Sequence, residues 1–153
     1  MGHNTRDGKL YMSKGRLRVD LGPMSDIYSV EQKKGWRVFT SLKQYSNIGE
    51  KQVSTYLPHM TNGSPCPNAE LPSACEMVGK ENVDERAATK WELTNQHGEH
   101  VYLWTDDRFE IAVRWQIENV TYELKHIHES GMPDSMLEVP AGHTHSAAFD
   151  FGR

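Results

Sequence analysis

The sequence has little cysteine, no long apolar run, no clustered basic charge and no sustained helical periodicity, and each shortage removes a class of protein. No apolar stretch among its 153 residues approaches the roughly 18 that a membrane-spanning helix needs. Its 17 Lys and Arg stand against 21 Asp and Glu and are scattered along the chain. The net charge is −4 and the pI is near 6.0; nucleic acid is therefore not an expected partner. Met1-Gly2-His3-Asn4-Thr5-Arg6 is polar from its first residue and has no apolar export core, which fits either a cytosolic start or a mature form whose signal is gone. Catalytic motifs are missing too. Ser135 and Ser146 have no nucleophile-elbow context, and Asp106 and Asp107 read as turn residues at a strand end. The expectation is a non-enzymatic protein.

What is present is a polar chain with a strong two-residue period. Hydrophobic residues make up 37% and the mean hydropathy is −0.71, a balance suited to a sheet with one wet face. The length allows one core and is short for two domains. Arg16-Leu17-Arg18-Val19-Asp20-Leu21 alternates throughout, and Phe109 to Ile117 places Phe109, Ile111, Val113, Trp115 and Ile117 on one face. Val120, Tyr122 and Leu124 repeat the pattern. Turn signals at Lys14-Gly15, Lys34-Gly35, Gln96-His97-Gly98 and Glu118-Asn119 punctuate these runs. The expected strands are 8–13, 16–22, 27–33, 36–42, 51–57, 76–83, 87–95, 100–106, 109–117, 119–128 and 136–139. Short helices are expected near Ser41 to Ile48 and Pro133 to Met136. A meander of so many strands with little helix predicts a mainly β fold, a curved antiparallel sheet or unclosed barrel.

The only two cysteines, Cys66 and Cys75, lie in a loop with Pro65, Pro67 and Pro72. A crosslink closing about ten residues would stabilise the fold by roughly 2.5–3 kcal/mol in the chain-entropy treatment. Two thiolates at this spacing lack the second pair of a structural metal site. A disulfide is the favoured reading, with two separate buried thiols as the alternative. Because disulfides persist in oxidising compartments, a periplasmic or extracellular location follows from the favoured reading.

Gly79-Lys80-Glu81-Asn82-Val83, Lys90-Trp91-Glu92-Leu93, Leu103-Trp104-Thr105-Asp106 and Leu137-Glu138-Val139-Pro140-Ala141-Gly142 follow one another as in a family of uncharacterised exported bacterial domains. Gly8 to Met12 and Gly15 to Asp20 fit the same pattern, as does the cysteine loop. The chain thus resembles domains similar to the LolA/LolB lipoprotein carriers. The resemblance implies one β domain over 1–142, followed by a tail over 143–153. It also implies an unclosed, highly curved sheet around an apolar concave face, which in the carriers holds acyl chains. The carriers cover that face with helices, which this sequence supplies sparingly.

Three sets of side chains are candidates for function. The aromatic residues Trp91, Trp104, Trp115, Phe109 and Tyr122 are expected as core anchors, with contact to a hydrophobic ligand as the functional alternative. His126 and His128 are two apart on an expected strand, and His143 and His145 repeat that spacing; together they offer four imidazoles to copper, zinc or nickel. Solvated strand-end histidines are the plainer reading, and no cofactor is the expectation. Met12, Met60, Met77, Met132 and Met136 read as gap-fillers before copper(I) ligands. In the tail, Phe149 and Phe151 suit a short strand docking on an exposed sheet edge, either of this chain or of a second copy.

Three functional readings follow in order. The first is an envelope protein that binds a lipid, an acyl chain or a hydrophobic protein segment on the concave face. The second is a structural subunit of a homo-oligomeric assembly joined through strand edges and termini. The third is a metal-binding accessory protein.

Overall fold

Alternating residues form pleated strands, and the chain turns back between them at positive-φ positions such as Gly15, Lys33, Asp84 and Glu118. The computed structural model describes residues 4–66, 75–94, 98–129 and 132–147. Its strands are β1 (Asn4–Ser13), β2 (Arg16–Leu21), β3 (Met24–Ser29), β4 (Lys34–Phe39), β5 (Gln44–Gly49), β6 (Cys75–Val83), β7 (Arg86–Thr94), β8 (His100–Asp106), β9 (Ala112–Ile117), β10 (Val120–His128) and β11 (Thr144–His145). One short helix, α1 (Glu50–Val53), follows β5. The hydrogen-bonded order is β11-β5-β4-β3-β2-β1-β10-β9-β8-β7-β6, a single eleven-stranded sheet not closed into a barrel. The mainly β fold with little helix agrees with the sequence reading. The sheet is mixed, because β11 runs parallel to β5.

The chain divides into two compact units, one from Met1–Arg6 and Ser54–Glu123, the other from Asp7–Val53 and Leu124–Arg153. In the second unit β2 to β5 form successive antiparallel pairs, with Leu17 opposite Tyr28, Ile27 opposite Trp36, and Val38 opposite Tyr45. Ile27, Val38 and Leu137 bury together, and Trp36 and Tyr45 pack on them. Arg18 Nη1 donates to the Met136 carbonyl at 3.1 Å and Arg16 Nη1 to the Leu137 carbonyl at 3.4 Å, which fixes the 3₁₀ turn Asp134–Leu137. Arg37 forms a two-pronged pair with the buried Asp26, at 2.7 and 2.9 Å, and also donates to the Gln52 carbonyl at 3.2 Å.

Three local expectations are corrected in this unit. The segment 41–48 is a 3₁₀ turn (Thr40–Leu42) followed by β5, not a helix. Lys43 adopts φ 52° and stops the turn, after which Ser46 and Ile48 bury in alternation. The segment 51–57 is not a strand. The Gln52 side chain accepts the Gly49 N–H at 2.8 Å, the reach-back of a capping box, and starts α1 instead. The expected strand 136–139 is the 3₁₀ turn already described, close to the short helix expected from Pro133.

Tyr28 is 2% exposed. Burial, and then the nearby Glu50 carboxylate, push its hydroxyl above the ordinary value of 10.0. The folded chain therefore keeps this proton where the unfolded chain begins to release it. The associated stability is complete below about pH 10 and falls as pH rises from there through the folded value. In alkaline denaturation, Tyr28→Phe should show a shallower loss of stability above that pH than the parent; an identical slope would rule this contribution out.

In the first unit, β6 and β7 form a hairpin through Asp84 and Glu85, both at positive φ (48° and 66°). A bulge between Met77 and Gly79 interrupts β6, and another between Trp104 and Thr105 shifts β8 against β9. The second bulge lies beside Glu110, at φ 55°, so that β9 begins at Ala112 and not at Phe109.

Candidate functional site

Directly opposed residues in an antiparallel pair share a face, so the registers place every strand side chain of the first unit. Trp91, Leu103, Trp115 and Tyr122 form one row across β7 to β10. Leu93, Val101, Ile117 and Val120 form the row beside it on the same face. Lys90, Trp104, Arg114 and Glu123 lie in a row on the reverse face.

Over the second of these rows passes the segment from Ser54 to Cys66. Tyr56 pins it near one end: its carbonyl accepts the Ala112 N–H at 2.7 Å, and its buried ring lies 5.8 Å from that of Trp115. Thr61 and Ser64 bridge across Asn62 and Gly63, at φ 53° and 77°, which gives the segment a tight reversal. The disulfide pins the other end by joining Cys66 to Cys75, the first residue of β6, with 5.4 Å between their Cα atoms. The favoured reading of the two cysteines is therefore right. Residues 67–74, with Pro67 and Pro72, lie outside the described residues, as do Gln96 and His97.

Between segment and sheet is a cavity of about 430 Å³. Leu93, Val101, Leu103 and Ile117 form its sheet side. Ser54, Thr55, Pro58, His59, Thr61, Pro65 and Cys66 form the other. One wall is aliphatic; the opposite one mixes prolines and the disulfide with three hydroxyls and an imidazole.

The five aromatic candidates do not form one surface. Trp91 and Trp115 are buried in the row next to the cavity wall. Trp91 Nε1 donates to Thr105 Oγ1 at 2.9 Å, and Trp115 stacks on Tyr122 with centroids 5.4 Å apart. Arg6 approaches the Tyr122 ring at 6.0 Å. Trp104 faces the other way, its ring 5.0 Å from both Lys90 and Arg114 while Nε1 donates to Glu81. Phe109 sits in the β8–β9 connection between Arg86 and Arg108. These contacts are those of anchors. The cavity wall is built from the smaller aliphatic residues beside them, which alternation alone did not single out. The local signal for the covering segment was Asn62-Gly63.

The four histidines are in the second unit. His126 adopts φ 52°, which breaks the alternation that would have set it level with His128. His128 stacks on Tyr11, centroids 5.0 Å apart. His143 Nδ1 lies 3.4 Å from the Ala141 carbonyl, and His145 lies beside Asn47 and Tyr45. Among the described residues no group of three or more His, Cys, Asp or Glu is arranged to hold a metal ion. A short strand, β11, lies on the β5 edge within this chain: Thr144 N–H donates to the Lys43 carbonyl and Ser146 N–H to the Tyr45 carbonyl, at 2.9 and 2.8 Å. Phe149 and Phe151 lie outside the described residues. No described helix is long and apolar enough to cross a membrane.

The chain matches no protein-family model and no curated protein sequence. The functional reading therefore rests on the cavity and on the residues that build it.

Proposed function

We propose that this is a non-enzymatic binding protein of an oxidising compartment that holds a small apolar ligand in the cavity beneath residues 54–66. The observation that carries the proposal is that cavity of about 430 Å³, floored by Leu93, Val101, Leu103 and Ile117. Its volume falls within the range of roughly 300–1,000 Å³ typical of small-molecule sites, and its sheet side is aliphatic, as such sites commonly are. The disulfide supports the compartment, and the resemblance to exported domains similar to the LolA/LolB carriers points to the same class of ligand.

Two features favour this over a subunit joined through strand edges. The β5 edge carries β11 of the same chain, and β6 is blunted by its bulge and by Glu76, Lys80 and Glu81.

Titration with N-phenyl-1-naphthylamine, an uncharged dye that brightens in apolar surroundings, tests the proposal. Saturable enhancement with one site per chain is expected. Leu103→Trp and Ile117→Trp, which fill the cavity from the sheet side, should each weaken binding at least tenfold while leaving the far-ultraviolet spectrum unchanged. No saturable signal, or unchanged binding in both folded variants, would reject the cavity as the site.

A further inference from the structure

We infer that the Cys66–Cys75 disulfide is a redox-operated latch: its reduction by a dithiol frees residues 57–66 from the sheet while the sheet stays folded. The covering segment is held at two points of different kinds. At Tyr56 the hold is packing, since the ring is 4% exposed and lies beside Trp115, while the carbonyl accepts the Ala112 N–H at 2.7 Å. From Leu57 to Cys66 no residue is buried. Among the described residues, the hydrogen bonds of that stretch stay inside it. Thr61 and Ser64 exchange two between their backbones, and the Cys66 N–H donates to Ser64 Oγ at 3.1 Å. A stretch with so little buried surface belongs to the low end of local stability. What keeps it over Leu103 and Ile117 is chiefly the bond at its far end.

Geometry gives the latch its effect. The bridge holds the two Cα atoms 5.4 Å apart, whereas the sequence separation of 9 lets an extended chain reach about 30 Å. Once the bridge opens, Pro58, His59, Thr61, Pro65 and Cys66 are no longer confined to the outer side of the cavity. The sheet does not depend on the bridge in the same way. Cys75 is the first residue of β6, and beyond it β6 stays paired with β7 from Glu76 to Val83 across its bulge. Neither cysteine is buried, which leaves the bridge open to a reductant. The dithiol supplies both electrons. One of its thiolates attacks a bridge sulfur, and the other cysteine leaves as a thiolate and takes up a proton. The second thiol of the reductant then closes on the first, releasing the remaining cysteine as a thiol and leaving a cyclic disulfide.

The test compares the full chain with its bridge intact and after reduction by dithiothreitol, the freed thiols capped with iodoacetamide and the reagents removed. Chymotrypsin should cut after Leu57 and Met60 at least tenfold faster in the reduced chain, with the far-ultraviolet spectrum unchanged. The double variant Cys66→Ser, Cys75→Ser should match the reduced chain without chemical treatment. Reoxidation of uncapped chain by glutathione disulfide should restore the slow rate. Equal cutting rates would show that packing holds the segment, and loss of the sheet spectrum on reduction would show a staple of the whole fold. Either result overturns the latch, as does a cutting rate that reoxidation fails to restore. One more readout rests on the cavity being a ligand site: N-phenyl-1-naphthylamine should bind the reduced chain at least fivefold more weakly. Unchanged dye affinity would overturn the segment's part in holding a ligand. No dye binding to the intact chain would remove the cavity reading and leave the latch standing.

Discussion

Asp106→Ala is expected to lower the unfolding free energy by about 3–5 kcal/mol, the range for breaking a buried charge pair from one side. The Asp106 side chain is 3% exposed. Oδ2 accepts Arg86 Nε at 2.7 Å, while Oδ1 accepts the N–H groups of Arg108 and Phe109 at 2.8 and 3.2 Å. One carboxylate therefore joins the start of β7 to the reversal between β8 and β9. Its removal takes one charged partner from a guanidinium that is itself largely buried, and the acceptor from two amide donors in the turn. The loss measures those abandoned groups and not the net worth of the ion pair, which in a buried setting is small. Asp106→Asn keeps an acceptor for the turn but removes the charge, so about 1.5–3 kcal/mol is expected, the scale of a hydrogen bond to a charged group. Urea denaturation with unchanged m-values would measure both. A loss below about 1 kcal/mol for Asp106→Ala would place the pair with exposed salt bridges and refute this account.

Gly35→Ala should be comparably damaging, costing about 3 kcal/mol or more or preventing folding outright, although it adds one methyl group. Gly35 lies within β4, opposite Tyr28 on one side and Ile48 on the other. A Cβ at this position would fall 1.9 Å from the Ile27 carbonyl oxygen and 2.7 Å from the Tyr28 Cα. Both are backbone atoms, so no side-chain rotation relieves the overlap and β3 and β4 must separate. Gly79 is the natural control: it too lies in a strand, yet its Cβ would meet nothing within 4 Å. Gly79→Ala should fall within about 0.5 kcal/mol of the parent, as surface substitutions do. Thermal melts of the two variants would decide the matter, and equal melting temperatures would refute it.

These two residues show where the sequence was readable and where it was not. Several strands were legible to within a residue or so: β2, β6, β7, β8 and β10 all match, and in β2 and β10 a half-buried strand prints its two faces directly on the sequence. Gly35 was read beside Lys34 as a turn residue. The turn in fact lies earlier, ending at Lys33 with φ 56°, and the glycine answers to the closeness of a neighbouring strand, which no local pattern reports. Asp106 was likewise read as a turn residue, which is half of its role. Its partner Arg86 is 20 residues away, and that pairing depends on the register of β7 against β8.

For the site, the cysteine pair was legible from spacing and proline content. The cavity was not, because its covering segment has no periodicity and is placed by Tyr56 and Cys66. The tryptophans, prominent in the sequence, fell on two faces once the registers were fixed. Alternation shows which residues of one strand go together, but it does not show which face of the next strand they join.

Cys66 has two roles at once: it is a wall of the cavity and one end of the crosslink that holds the covering segment to β6. In a chain whose cavity takes a ligand, occupancy and the thiol–disulfide state are then linked equilibria. Whatever factor the intact bridge contributes to ligand affinity, the bound ligand returns as the same factor in the bridge's resistance to reduction by a dithiol. The surrounding redox poise would thereby set how readily cargo is released, and cargo would protect the bond that retains it.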